Sequence, residues 1–220
     1  MKLTVTKEIL EIIPSYTVLA YTFPMEIKES GDLITQKVKE LEEEYANITL
    51  EEAINLEIIK EGRDGYKKFG KDPSRYRLAC ESLIRRLVKK MGLYYINNAV
   101  DIGNILSIET KRPVAVLDLD KISGDIKFRL GRDSDDYEGI GRGKINVSNI
   151  PVYVDDISPF GSPTSDTLRT AITKDTKNIL LFVNCFSDKY VNECETLIKK
   201  LYKELGNVET FTKLDVSYER

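Results

Sequence analysis

Histidine is absent from the 220 residues, so any chemistry must run on carboxylates, hydroxyls, amides, guanidiniums or backbone groups. Without imidazole, neither a Ser-His-Asp nor a Cys-His nucleophile can be assembled, and the commonest zinc ligand is missing. Cys80, Cys185 and Cys194 are odd in number and show no C-x-x-C spacing, so they read as buried thiols rather than a disulfide framework. Ser162 and Ser165, in GSPTSDTLRT, have no base to activate them, which leaves water as the attacking group in any hydrolysis. Asp155 and Asp156 are adjacent on an extended run and point to opposite faces, which is a poor arrangement for chelating one cation. No metal and no cofactor are expected.

The most concentrated polar signal is INNAVDIGN, residues 96–104. In a functional reading Asn97, Asn98, Asp101 and Asn104 form a polar wall that orients ligand hydroxyls, because amides both donate and accept. In a structural reading Asn98 and Asp101 cap exposed backbone groups of a short helix and Asn104 ties down a neighbouring loop, and this is the stronger of the two. Asp118 and Asp120 end the apolar run PVAVLDLD; they either face a pocket or begin a turn toward Gly124. Arg129, next to last in DIKFRL, lies on the face of Lys127. It could meet a phosphate or carboxylate, or form a rim ion pair with Asp133 or Asp135.

Charge is distributed unevenly despite a net value of only -3. Lys67, Lys68, Lys71, Arg75, Arg77, Arg85, Arg86, Lys89 and Lys90 face only Asp72 and Glu81 in their stretch, whereas residues 37–61 are rich in glutamate. Arg85 with Lys89 and Arg86 with Lys90 stand one helical turn apart and suit a phosphate backbone. Tyr66, Phe69 and Tyr76 lie nearby as candidate stacking surfaces. A solvated helix face is the plain alternative.

These residues need positioning elements. PSYTVLAYTFP reads as a strand, and DLITQKVKELEEEYA has Leu33, Ile34, Val38, Leu41 and Tyr45 at helical spacing. Thr49 and Glu52 stand at capping-box spacing before a helix expected to end near Gly62. A third helix is expected from about Ser74 to Met91, with Leu78, Leu83, Leu87 and Met91 inward and Gly92 as its stop. AVDIGNILSIE reads as a short helix. PVAVLDLD, DIKFRL, NIPVYVDD and KNILLFVNCF read as strands, and SDKYVNECETLIKKLYKELG as a helix before a last strand in VETFTKLDV. The expected organisation is one domain: a strand and helices over 1–95, a β-rich core over 96–186, and a helix and strand over 187–220. NILLFVNCF and IPVYV fall short of the roughly 20 residues that cross a bilayer, and MKLTVTKEIL lacks the form of a secretory signal. A cytoplasmic protein without a membrane span is expected.

The stretch SLIRRLVKKMGLYYINNAVDIGNILSIETKRPVAVLDLDKISGDIKFRL, with IPVYVDD and TAITKDTKNILLFVNCF, closely resembles the B3/B4 editing and tRNA-binding domain of the phenylalanyl-tRNA synthetase beta subunit. The resemblance implies an α+β fold with a Greek-key, β-barrel-like core and inserted and flanking helices. It also implies a pocket in which water hydrolyses a wrong amino acid from tRNA without a protein nucleophile, and the absence of counterparts to other synthetase modules suggests a freestanding member. Where the family has a histidine two residues after the proline of PVAVLD, this sequence has Ala115; the family's glycine pair and acidic residue have no good match in GSPTSDTLRT, where Asp166 either stands in for the carboxylate or is a turn residue.

On this reading Asp166, Ser165 and Asn104 are the catalytic candidates, and Asn97, Asn98, Asp118, Arg129, Ala115, Ser162 and Thr167 the substrate-binding ones. Arg75, Arg85, Arg86, Lys89 and Lys90 are the tRNA-binding candidates. tRNA with its aminoacylated 3′ end is the expected partner, and DNA is not. Two alternatives stand beside the hydrolase: a binding module that recognises tRNA without chemistry, and a pocket for a free amino acid or nucleotide.

Overall fold

A computed structural model describes residues 1–220. Its elements in chain order are β1 (Leu3–Val5), α1 (Lys7–Ile12), β2 (Thr17–Pro24), α2 (Asp32–Tyr45), α3 (Leu50–Asn55), α4 (Glu57–Lys68), α5 (Ala79–Val88), α6 (Asn98–Thr110), β3 (Val114–Asp118), β4 (Ile126–Leu130), β5 (Glu138–Gly139), β6 (Gly143–Lys144), β7 (Pro151–Val154), β8 (Pro159–Gly161), β9 (Asn178–Cys185), α7 (Val191–Gly206), β10 (Thr212–Lys213) and β11 (Val216–Tyr218). The fold is α+β. Its longer strands form two sheets, ordered β11-β1-β4-β7-β8 and β10-β2-β9-β3, with β5 and β6 as a separate hairpin; they do not close into one barrel.

β9 explains how the two sheets become one core. Its sequence, NILLFVNC, is almost continuously apolar, as expected of a strand covered on both faces. β2 and β3 flank it in antiparallel register, pairing Ala20 and Ala115 with Phe182. The Phe182 ring stacks on Tyr153 of β7 with centroids 4.2 Å apart, so this face of β9 meets the other sheet. Asn184, two residues on and therefore on the same face, accepts hydrogen bonds from the Tyr153 hydroxyl at 2.6 Å and the Tyr16 hydroxyl at 3.0 Å. Its amide nitrogen donates to the Pro113 carbonyl at 3.4 Å.

Helices α6 and α7 belong to the opposite side of β3. Gly103 in α6 lies so close to β3 that a Cβ there would stand 2.3 Å from Val116 Cγ2. Tyr202 of α7 packs on Phe23 at 4.7 Å between ring centroids and donates to the Ala99 carbonyl at 3.0 Å. No helix is long and apolar enough to cross a membrane.

Several boundaries differ from those expected. The Thr49–Glu52 capping box forms, but the chain breaks at Leu56, whose ψ of 133° is not helical, and a second helix runs through Gly62 to Lys68. Gly62 is kept by packing: a Cβ there would stand 2.4 Å from Leu78 Cδ1. The third expected helix is shorter than Ser74–Met91, because residues 72–76 form a turn and Leu78 is the N-cap. It ends at Val88, and past the C-cap Lys89 the chain turns at Lys90, which takes the left-handed conformation (φ 55°), with Lys90 N–H donating to Leu87 O and Met91 N–H to Arg86 O. That is a Schellman closure two residues before Gly92. Met91, expected inward, is 59% exposed.

Asn184→Ala leaves two buried phenol donors without their acceptor. Each such loss costs about 1–3 kcal/mol, so the variant should unfold at lower urea with a stability loss of about 2–4 kcal/mol at unchanged m-value.

Candidate functional site

The segment from Ser162 to Thr167 joins β8 to the short helical turn Leu168–Thr170, and neighbouring elements hold it from several sides. Ala79 N–H, at the start of α5, donates to Pro163 O at 2.8 Å; Ile140 N–H donates to Asp166 O at 2.9 Å; Thr167 N–H returns to Phe160 O at 2.9 Å. The Tyr66 hydroxyl of α4 bonds Thr164 Oγ1 at 2.8 Å. Tyr137 OH donates to Ser165 O.

Inside the loop the Ser162 hydroxyl is fully committed. It donates to Ser165 O at 2.9 Å and accepts from Thr164 N–H at 3.3 Å and Ser165 N–H at 3.1 Å. It closes the turn and is no nucleophile. The Thr167 hydroxyl donates to Phe160 O at 3.2 Å, and Ser165 Oγ donates to Asp166 O at 3.3 Å.

Asp166 is different. The residue is partly exposed, but its Oδ1 is closed to solvent and has no hydrogen-bond partner. It lies against Gly161, where a Cβ would come within 3.0 Å of that oxygen. Burial pushes the Asp166 carboxyl up to about 7, against the opposing pull of the Ser162 backbone N–H. The same enclosure, together with the Asp166 charge, raises the Tyr137 and Tyr153 phenols. A carboxyl that exchanges its proton near neutrality can act as acid or base in water.

The remaining predicted positions are tied to other partners. Asn97 caps α6, its side chain accepting from Val100 N–H at 3.0 Å. Asn98 accepts from Lys28 N–H at 3.0 Å and donates to Glu26 O at 2.9 Å. Asp101 accepts from Ser30 Oγ at 2.6 Å and Ile96 N–H at 3.0 Å. The amide-rich run therefore fastens residues 26–30 to the start of α6, with Asn97 as the cap and Asn98 and Asp101, rather than Asn104, tying down the loop. Asn104 is half-buried and outside this network.

Ala115 is buried in register with Phe182, on the face that meets the other sheet. Asp118 accepts from Thr176 Oγ1 at 2.7 Å and Asp120 N–H at 3.1 Å, a turn-closing role. Arg129 makes a two-pronged pair with Asp135 at 2.8 and 2.9 Å, which is the ion-pair alternative. Hydrogen bonds thus join Ser162, Ser165 and the Asp166 backbone, with Thr167 tied to Phe160 beside them, and draw neither the asparagines nor Arg129 into that group.

The basic stripe is also redistributed. Arg85 pairs with Glu81 at 3.2 Å, and Glu81 also takes Arg63 at 2.8 Å. Arg86 donates to Gly92 O at 2.9 Å and lies 3.9 Å over the Tyr94 ring. Arg75 and Lys89 are exposed and outside any ion pair, while Lys90 shares a cleft with Glu42 and Glu43. Tyr66 and Phe69 are buried and offer no stacking surface; the exposed aromatics beside α5 are Tyr94 and Tyr95.

Two contributors went unnoticed in sequence. The hairpin β5–β6, from GIGRGK, supports the loop at Ile140, and its alternating glycines, with positive φ at Gly141 and Gly143, are the signal that marks it. Arg169, read only as a loop residue, clamps Asp155 at 2.8 and 3.1 Å. That carboxylate also accepts from the Ser123, Ile157 and Ser158 amides.

Comparison with known proteins falls on the same region. A family model described as the B3/4 domain matches residues 62–201. The phenylalanine–tRNA ligase beta subunit of Fusobacterium nucleatum is 29% identical over 130 residues, covering 56% of this chain and 15% of that protein. The corresponding subunit of Cupriavidus pinatubonensis is 36% identical over 109 residues, covering 48% of this chain and 13% of its own length. The chain therefore spans only a small part of these curated relatives. An N-terminal fragment of the phenylalanyl-tRNA synthetase beta subunit from Pyrococcus horikoshii has a TM-score of 0.54 at 13% identity, over 99% of this chain and 52% of that one, which is a likeness of fold.

Because the folded Asp166 holds its proton to about 7 and the unfolded one to about 3.9, the folded state binds more protons between those values. Stability contributed by this site is therefore greatest at low pH and falls as pH rises toward 7. A tenfold change in proton affinity is worth about 1.4 kcal/mol, and solvent beside this partly exposed residue screens part of the total. Asp166→Asn should melt like the wild type near pH 4 and be more stable by about 2 kcal/mol above pH 7, as read from urea curves at the two pH values.

Proposed function

Because the chain belongs to the B3/4 domain family, its model matching residues 62–201, we propose that it recognises the aminoacylated 3′ end of tRNA and hydrolyses a wrongly attached amino acid. The family relationship supports the tRNA-related role. The observation that carries the hydrolytic step is the Asp166 carboxyl, enclosed, unpartnered at Oδ1 and poised near neutrality.

In this reading Asp166 is the general base. An ester of a ribose hydroxyl is already activated, so one positioned water suffices. The carboxylate takes a proton as the water oxygen bonds to the ester carbonyl carbon. The bond from that carbon to the ribose oxygen then breaks, and the proton passes to the ribose oxygen, releasing a free amino acid and an intact tRNA hydroxyl. Oδ1 faces Gly161 in the structure, so productive contact calls for a rotation of the Asp166 side chain. Ser162 and Thr167 hold the loop, and Ser165, partly exposed beside Asp166, is the hydroxyl next to the substrate. Arg75 and Lys89 meet the RNA backbone.

A second reading is recognition without chemistry. It is favoured by the inward turn of the same carboxyl and by Ala115, whose methyl group sits in the core between sheets and can bond nothing.

A panel of mischarged tRNAs separates the two. The hydrolase releases amino acid at substoichiometric protein, with a rate that rises with pH and levels above about 7. Asp166→Asn cuts that rate by about 10²-fold or more while tRNA binding is kept. Salt-sensitive tRNA binding with no release from any mischarged species would establish the binding module instead.

A further inference from the structure

Arg77, in the segment just before α5, and Arg142, at the tip of the β5–β6 hairpin and bonded to Ser82 of α5, reach the same end of that helix from distant parts of the chain. Neither has a carboxylate within ion-pairing distance, although Glu81, four residues after Arg77, is taken by Arg63 and Arg85. Arg77 donates once, to Ser74 O at 3.1 Å, while its Nε is closed to solvent and has no acceptor. Arg142 reaches Ser82 Oγ at 3.3 Å, and that hydroxyl in turn bonds Leu78 O. Partial burial, and next the charge of Arg77, pull the Arg142 guanidinium below its ordinary value. Two guanidiniums at one end of α5, neither paired with a carboxylate, form an arrangement that an oxyanion accepting from both forks would stabilise.

We propose that Arg77 and Arg142, with Ser82, form a phosphate-binding pair that holds a backbone phosphodiester of single-stranded RNA beside the Ser162–Thr167 loop. Their position carries this. Ala79 N–H, two residues after Arg77, bonds Pro163 O, and Ile140 N–H, two residues before Arg142, bonds Asp166 O. A phosphate on the pair is therefore delivered next to Asp166. The cleft lined by Lys28, Lys174 and Lys177 is a poorer candidate, because Glu26 and Asp175 line it too and offset the charge. The identity of the ligand as RNA rests on the tRNA reading above; the anion site itself does not.

The test uses the full chain and an uncharged, fluorescently labelled RNA ending in a single-stranded 3′ segment, so that hydrolysis plays no part. Arg142→Ala should weaken binding about 10-fold and reduce the slope of log affinity against log salt by about 0.7 to 1. Arg142→Lys should recover part of it, since charge returns without the fork. Arg142 is largely exposed at a hairpin tip, and the covered part of its guanidinium makes only one long hydrogen bond, so its variants should melt no lower than the wild type without RNA. Inorganic phosphate at millimolar concentration should raise the melting temperature of the wild type and not of Arg142→Ala, and RNA should compete with it.

Wild-type RNA affinity in Arg142→Ala, or equal protection of both proteins by phosphate, overturns the pair. Phosphate protection that RNA does not displace overturns RNA as the ligand. If no mischarged tRNA is deacylated while Arg142→Ala still weakens RNA binding, the hydrolytic reading falls and the phosphate pair stands.

Discussion

The Asp155 carboxylate fixes the geometry on which the candidate site depends. Its side chain is wholly buried, yet it accepts from three backbone amides and from both prongs of Arg169. Burial alone would raise its proton affinity. The Ser123 and Ser158 amides, then Arg169 and the Ile157 amide, outweigh burial and hold it below the usual carboxylate range. One charged group thereby joins the β3–β4 connection, the β7–β8 turn and the helical turn after the serine-rich loop. Removing one partner of such an enclosed pair costs about 3–5 kcal/mol, because the other charge is left uncompensated.

Asp166, eleven residues further on by the numbering, shows the same kind of group under the opposite condition. It is enclosed with one amide facing it and no cation among the causes of its shift, so its proton affinity rises instead of falling. Two carboxylates in one region are thereby pushed in opposite directions by their surroundings. In a chain without histidine, this is the available route to a side chain that changes protonation near neutral pH. The loop that carries Asp166 is bonded to α5, to Phe160 and to the β5–β6 hairpin, so side-chain rotation rather than loop movement is the motion left to it.

Legibility in the sequence followed the range of the interactions. α2 and α7 have long periodic patterns, β2 and β9 have long apolar or β-branched runs, and the Thr49–Glu52 box is local chemistry, whereas the cap of α6 falls on Asn97 rather than on Asn98 or Asp101. β1 was missed because three residues become a strand only by pairing with β4 and β11, more than a hundred residues away. The break at Leu56 is equally silent, since LEEAINLEIIK is helical by propensity throughout. The roles of Asn98 and Arg129 followed from the ordinary tendency of polar groups to bond near neighbours or turn residues. The enclosure of Asp166 did not, because Gly161, Tyr137 and Tyr153 come from separate segments and create it only together.

Charge shows the same distinction between content and placement. Counting residues 67–90 suggested that the positive face centres on the second half of α5. Folding brings Glu42 and Glu43 of α2 into one cleft with Lys90, Glu81 to Arg85, and the Gly92 carbonyl to Arg86. Much of the cationic capacity at that end is thereby spent inside the protein. At the beginning of the helix, Arg75, Arg77 and Arg142 meet no carboxylate within ion-pairing distance. A polyanion approaching a molecule of net charge -3 is repelled by much of its surface and steered to whatever positive patch is left uncompensated. The N-terminal end of α5, whose first amide bonds the loop bearing Asp166, is one such uncompensated patch.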